Sequence, residues 1–184
     1  MAKQQNKSRY AILGMLSYGS MSGYDIRHFF EGIAGFWSES YGQIYPNLNA
    51  LAQEGLVTKV VEERAKGPTR HIYTITEEGR WALRQWLQQP AEPVKERNEL
   101  LLKLIFGASV NQADNVAQIQ AYKVRMLEMI GSYHIFEAWQ QEQSNHDPHA
   151  VFQLMAVRHG LRTCQAIVEW CDECVALLET ENKG

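Results

Sequence analysis

Across residues 40–76 the spacing of apolar positions changes once, from the threes and fours of a helix to the twos of a strand. Ile44, Leu48, Leu51 and Ala52 share one helical face, Gln43, Asn47, Asn49, Ala50 and Gln53 point away from it, and Gly55 supplies a left-handed stop. Ser40-Tyr41-Gly42-Gln43 has the Ser-x-x-Gln spacing of a capping box, which starts the helix near Tyr41. Pro46 removes the bond to the carbonyl of Gly42 and crowds that turn; a helix starting at Tyr45, with Pro46 in its first turn, fits the same residues. Residues 57–63 then alternate as a strand, 63–68 are turn material, and 70–76 form a second strand rich in Ile, Tyr and Thr.

The flanking pattern is helical. Residues 8–16 predict a short helix with Ile12, Leu13, Met15 and Leu16 inward. Ser22 caps a second helix, whose Tyr24, Ile26, Phe29, Phe30 and Ile33 exceed what one buried face needs, so that some of them are expected to meet another domain. Thr76-Glu77-Glu78 opens a helix with Ala82, Leu83, Trp86 and Leu87 inward, ended by Pro90 and Pro93. That proline-bearing joint is the expected boundary between domains at 1–90 and 91–184.

Beyond it come a short apolar helix over 95–106, a long one capped by Asn111 and running to about Gln143, and a last one opened by Asp147-Pro148 and running to about Leu178. A helix of about thirty residues is ~45 Å long and needs a partner along its length. In the last helix Leu161, Cys164, Val168, Cys171, Val175 and Leu178 alternate steps of three and four, the spacing of a coiled-coil seam. Such a seam can close within the chain or against a second copy. The expected fold is mainly α with a small β-hairpin: an N-terminal winged helix-turn-helix followed by a C-terminal all-α dimerisation domain.

The polar positions suggest what the first domain touches. Asn and Gln can pair bidentately with a base edge, so an amide-rich, uncharged helix face suits the major groove of DNA. Directly behind it, Arg64, Lys66 and Arg70 cluster at the hairpin tip, where cations can lie along a phosphate backbone or reach the minor groove. Lys3, Lys7 and Arg9 precede or open the first helix, where they suit phosphate contact equally as well as an idle tail. A homodimer is expected, because sequence-specific winged helices commonly read two half-sites ~34 Å apart.

Charge agrees with this division. The chain of 184 residues has net charge -3, but residues 1–90 carry ten Lys and Arg against eight Asp and Glu, whereas 91–184 carry eight against thirteen. Only the first half suits nucleic acid. No apolar run approaches the ~18 residues of a membrane span and no signal-peptide core is present, so a cytoplasmic protein without membrane contact is expected. Three cysteines on one helix fit a reducing compartment better than a disulfide framework.

Cys171-Asp172-Glu173-Cys174 and His146-Asp147-Pro148-His149 contain metal-ligating side chains, but the first shares the apolar seam and the second begins a helix. Packing and capping account for them, and no metal or cofactor is expected. No nucleophile triad, paired-carboxylate motif or glycine-rich phosphate loop is present, so no catalytic residues are assigned. The alternative to a DNA-binding regulator is a winged-helix module whose amide face contacts protein.

Four segments carry a family resemblance: Met21-Ser22-Gly23-Tyr24-Asp25-Ile26, Gly42-Gln43-Ile44-Tyr45-Pro46-Asn47-Leu48, Leu51-Ala52-Gln53-Glu54-Gly55-Leu56-Val57 and Tyr73-Thr74-Ile75-Thr76-Glu77-Glu78-Gly79. Together they resemble the PadR family of bacterial transcription regulators, closely over the first half and in general layout over the second, as in its larger members and the related virulence activators. The resemblance implies that Ser40, Gln43, Tyr45 and Asn47 meet bases or phosphates from the third helix, and Lys66 and Arg70 from the wing. Asn49 and Ala52 stand where many members carry a charge. Repression is the expected outcome, since such a protein most simply acts by occupying a promoter, and the resemblance makes a phenolic or other flat aromatic compound a candidate effector. Phe29, Phe30, Phe36, Trp37, Trp81, Trp86, Tyr122, Tyr133, Phe136 and Trp139 could line an aromatic pocket between the domains or serve as core and interface packing.

Overall fold

A computed structural model describes residues 6–32, 41–62, 69–93, 97–143 and 147–181. Its contacts divide the chain into two compact units, Met1–Pro93 and Val94–Gly184.

In the first unit, α1 (Lys7–Leu16), α2 (Gly23–Gly32), α3 (Tyr41–Gln53) and α4 (Glu77–Leu87) surround a sheet of β1 (Met21–Ser22), β2 (Val57–Glu62) and β3 (Arg70–Ile75). The sheet is antiparallel in the order β1-β3-β2, with Val57 opposite Ile75, Glu62 opposite Arg70, and Met21 opposite Tyr73. β1 has no counterpart in the sequence reading, because two residues are too few to show a period of two. Its Ser22 also caps α2: Asp25 N donates to Ser22 Oγ at 3.3 Å, and Ser22 N donates to Asp25 Oδ2 at 2.9 Å.

The core joins Ile12, Leu13, Met15 and Leu16 of α1 to Ile26, Ile44, Leu48, Leu51, Val57, Tyr73, Ile75 and Leu83. Burying such side chains is worth about 1.5–3 kcal/mol each relative to exposure. Trp86 is half-buried and stacks on Tyr10 at 4.9 Å between centroids, whereas Leu87, expected inside, is 64% exposed at the end of α4. β2 is likewise more open than its alternation suggests: only Val57 is buried, and Val60 and Val61 both face solvent. Gly55 takes the expected left-handed backbone, with φ of 74°. Gly79 follows the Thr76 cap so closely that a Cβ there would lie 2.1 Å from the carbonyl oxygen of Leu56.

The second unit contains α5 (Glu99–Ile105), a 3₁₀ turn (Gly107–Ser109), α6 (Gln112–Gln143) and α7 (Ala150–Glu181). Asn98 and Asn111 cap α5 and α6 by accepting from Leu101 N and Asp114 N. Asp147-Pro148 lies in a turn just before α7, where Asp147 Oδ1 accepts from His149 N at 2.8 Å. The two long helices run antiparallel, since Gln140 donates to the carbonyl of Ala150 near one end, while Lys123 pairs with Asp172 and Gln112 donates to the carbonyl of Leu178 near the other.

Of the two ways open to the seam of α7, the structure shows packing within the chain for its first half. Leu161, Cys164 and the half-buried Val168 pack with Met126 and Tyr133 of α6 in the same chain, Cys171 is completely buried, and Val175 and Leu178 are half-buried. A helix folded back on its neighbour presents its most apolar stripe to that neighbour first. From Leu161 to Cys171 the seam is therefore filled from within the chain. Cys171 and Cys174 stand on this helix as free thiols, both pushed above the ordinary thiol value, chiefly by burial.

Candidate nucleic-acid interface

The third helix is built as the sequence suggests for its apolar face: Ile44, Leu48 and Leu51 are buried and hold α3 against the core. Its other face leaves Gln43, Pro46, Asn49, Ala50 and Gln53 exposed. Gln43 and Gln53 stand ten residues apart on a surface without a single charged side chain. Tyr45 is half-buried, and its ring lies so near Gly23 that a Cβ on that glycine would meet Cε1 at 2.7 Å. The absence of a side chain at Gly23 thus lets the start of α2 come down onto Tyr45.

Asn47 is the exception on this face. Expected to point outward, it is 6% exposed, because Nδ2 donates to the carbonyl of Gln43 at 2.7 Å and Oδ1 accepts from Asn6 Nδ2 at 2.7 Å. A buried amide with both ends paired cannot also address a base edge without giving those bonds up.

A groove of about 510 Å³ separates α3 from the wing, lined by Ser22, Gly23, Tyr24, Asp25, Tyr45, Thr69, Arg70 and His71. Arg70 lies at its wing side, yet it is not a free cation: one Nη2 donates both to Asp25 Oδ2 and, at 3.0 Å, to Ser22 Oγ. Burial alone would raise the Asp25 carboxyl, but the hydrogen bonds from Ser22 N and Oγ, together with the Arg70 guanidinium, outweigh it and hold that carboxyl below its ordinary value.

The other expected phosphate contacts are compensated in the same manner. Lys7 Nζ is 3.0 Å from Glu92 Oε2, and Arg9 pairs with Glu54 at the end of α3. Ser40 and Lys66, with Lys3 and Arg64, lie outside the described residues, as do Phe36 and Trp37 of the aromatic set. Among the aromatics that are described, Tyr122, Tyr133 and Phe136 pack into the α6–α7 core, and Trp86 packs on Tyr10. Lys59 remains exposed on β2, its Nζ 5.8 Å from the centre of the Tyr73 ring.

Residues 12–85 match the model of the transcriptional regulator PadR-like family, and residues 96–179 match that of the virulence activator alpha C-terminal domain. The negative transcriptional regulator PadR of Bacillus subtilis is 29% identical over 94% of this chain and 98% of its own length. The chain belongs to the PadR-like family of transcriptional regulators. Among solved structures, B. subtilis PadR in complex with operator DNA superposes with a TM-score of 0.80 at 25% identity, covering 94% of this chain and 99% of that one. The same protein in complex with p-coumaric acid gives 0.72 at 26% identity, over 93% and 98%. The Vibrio cholerae virulence activator AphA gives 0.73 at 29% identity, over 94% and 98%.

In this PadR-like chain the side chain that sequence reasoning missed is Asp25. The Ser22-x-x-Asp25 spacing signals its capping role, but nothing local to it announces a guanidinium 45 residues away.

Proposed function

We propose that this chain is a homodimeric, sequence-specific DNA-binding transcriptional regulator that represses by occupying a promoter in the cytoplasm, without catalytic chemistry of its own. Its first unit binds DNA and its second unit dimerises. The observation that carries this reading is the exposed, uncharged amide face of α3 beside the wing, in a chain whose fold follows that of PadR on operator DNA. Gln43 and Tyr45 meet the bases or adjoining phosphates, joined by Ser40; Lys66 at the wing tip reaches the backbone. Asn47 shapes the start of this surface from beneath. Lys7 and Arg9 reach phosphate only by releasing Glu92 and Glu54.

The second copy is offered a different face of α6 from the one α7 covers. Val124, Leu127, Ile135 and Trp139 are 53%, 48%, 73% and 52% exposed and fall along one side of the helix, opposite the buried Ile119, Met126, Tyr133 and Gln140. A flat phenolic acid is the effector class, by analogy with the p-coumaric acid complex of PadR. It would relieve repression by favouring a dimer state in which the two recognition helices are wrongly spaced for their half-sites.

The test is selection of bound fragments from genomic DNA, followed by titration of the best fragment against salt. Specific retention with a steep salt dependence, near -0.9 in log–log slope per phosphate neutralised, is expected. Equal retention of all fragments, or none, would hand the amide face to a protein partner. Quenching of the five tryptophans by a panel of phenolic acids tests the effector; no response to any of them would remove it.

A further inference from the structure

Arg70 stands in the groove between the recognition helix and the wing, where a lone cation would meet phosphate, yet its guanidinium is turned onto the start of α2. Three donors converge on one carboxylate oxygen: Ser22 N at 2.9 Å, Ser22 Oγ at 2.9 Å, and Arg70 Nη2. Ser22 is 3% exposed and pairs with Ile72 in the sheet, so the carboxylate is held on a rigid mount and not on a loose surface chain. A charge-assisted bond from a guanidinium already satisfied in this way must be broken before the same atoms can reach DNA.

We infer that Asp25 is a positioning residue that sets the affinity for the DNA backbone: by clasping Arg70 to the end of β1 it withdraws a cation from contact with phosphate and uses it to fix the wing beside α3. The inference rests on the DNA-binding reading above. Its physical logic is that every phosphate contact adds affinity for all sequences alike, whereas base contacts add it for one. Neutralising Arg70 internally lowers the affinity for operator and random DNA by the same factor and leaves discrimination to the amide face. It also keeps β3 in place next to Tyr45, since the clasp ties the first residue of that strand to the N-cap of α2.

Asp25→Asn keeps an oxygen for Ser22 N and leaves the Asp25 N to Ser22 Oγ bond, so the α2 cap survives while the negative charge goes. In the full chain we expect this variant to bind random-sequence duplex roughly eightfold more tightly at 0.1 M salt, with the log–log salt slope steeper by about 0.9, one additional phosphate contact. Operator should gain by the same factor, which leaves the ratio of the two affinities unchanged. Arg70→Ala in the parent should leave the slope unchanged, and Arg70→Ala added to Asp25→Asn should return the steepened slope to the parent value. A merely structural role for Asp25 would weaken binding and could not steepen the slope. The inference is overturned if Arg70→Ala alone flattens the parent slope by about one, or if Asp25→Asn leaves the slope where it was. Circular dichroism melts of each variant identify any that unfold, and Asp25→Ser then repeats the measurement. Failure of the parent to retain any DNA would sink the DNA-binding reading itself, an outcome distinct from either of these.

Discussion

Gln43 and Asn47 occupy successive turns of one helix and carry the same amide chemistry, yet their side chains lead opposite lives. Gln43 is exposed, whereas Asn47 is buried with its amide nitrogen and its oxygen each engaged in one hydrogen bond. Gln43→Ala should therefore relax base preference by about 1–3 kcal/mol with an unchanged melting temperature. Asn47→Ala should do the reverse, lowering stability by about 1–2 kcal/mol in urea titration and weakening all DNA sequences alike through displacement of α3. Asp25 makes a prediction in pH. Its carboxyl lies below the ordinary 3.8 when folded, so it binds protons less readily in the folded chain than in the unfolded one. The stabilisation is complete above that ordinary value and is lost as pH falls through the lowered one. Acid titration of Asp25→Asn, followed by circular dichroism, should show a shallower loss of stability below pH ~4 than the parent.

At the scale of elements, the α6–α7 hairpin shows how closely two helices approach when one yields its side chain. A Cβ on Gly160 would lie 2.5 Å from Tyr133 Cζ, so the tyrosine ring fills the place of an alanine methyl. Gly160→Ala should cost about 1–3 kcal/mol by overpacking, despite its better helix propensity. Tyr133 Oη is buried with no hydrogen-bond partner among the described residues, and burial raises its pKa. Removing that oxygen removes a desolvated polar atom, so Tyr133→Phe should be neutral or stabilising by up to about 1 kcal/mol in thermal unfolding. The existence of both helices was legible from the Asn111 cap and the runs of apolar residues, because caps and periods are local. Which stripe of α7 would be covered by its own chain was not, because every apolar stripe looks alike until the helix has a neighbour.

For the whole molecule, the proposed dimer places association on the outer face of α6, because the Leu161 to Cys171 stripe packs within the chain. Ile135→Glu is expected to halve the mass seen by light scattering at micromolar concentration and to weaken operator binding, with helicity retained. Leu161→Ala should instead destabilise the second unit by about 2–5 kcal/mol without changing the mass of the folded species. A dimer after Ile135→Glu would place the interface elsewhere.

The order of the helices, the wing, the turn at Gly55 and the caps at Thr76 and Asn111 were all determined by the sequence, since each depends on residues within a few positions of one another. The expectation of amide-mediated base reading came from the same local pattern. Tertiary structure alone decided which charges and amides remain available. Arg70 meets Asp25, Arg9 meets Glu54, Lys7 meets Glu92 and Asn47 meets Asn6 across separations of 41 to 85 residues. A periodic pattern says which side of an element is polar; whether a given polar side chain is free or already bound depends on what the folded chain brings opposite it.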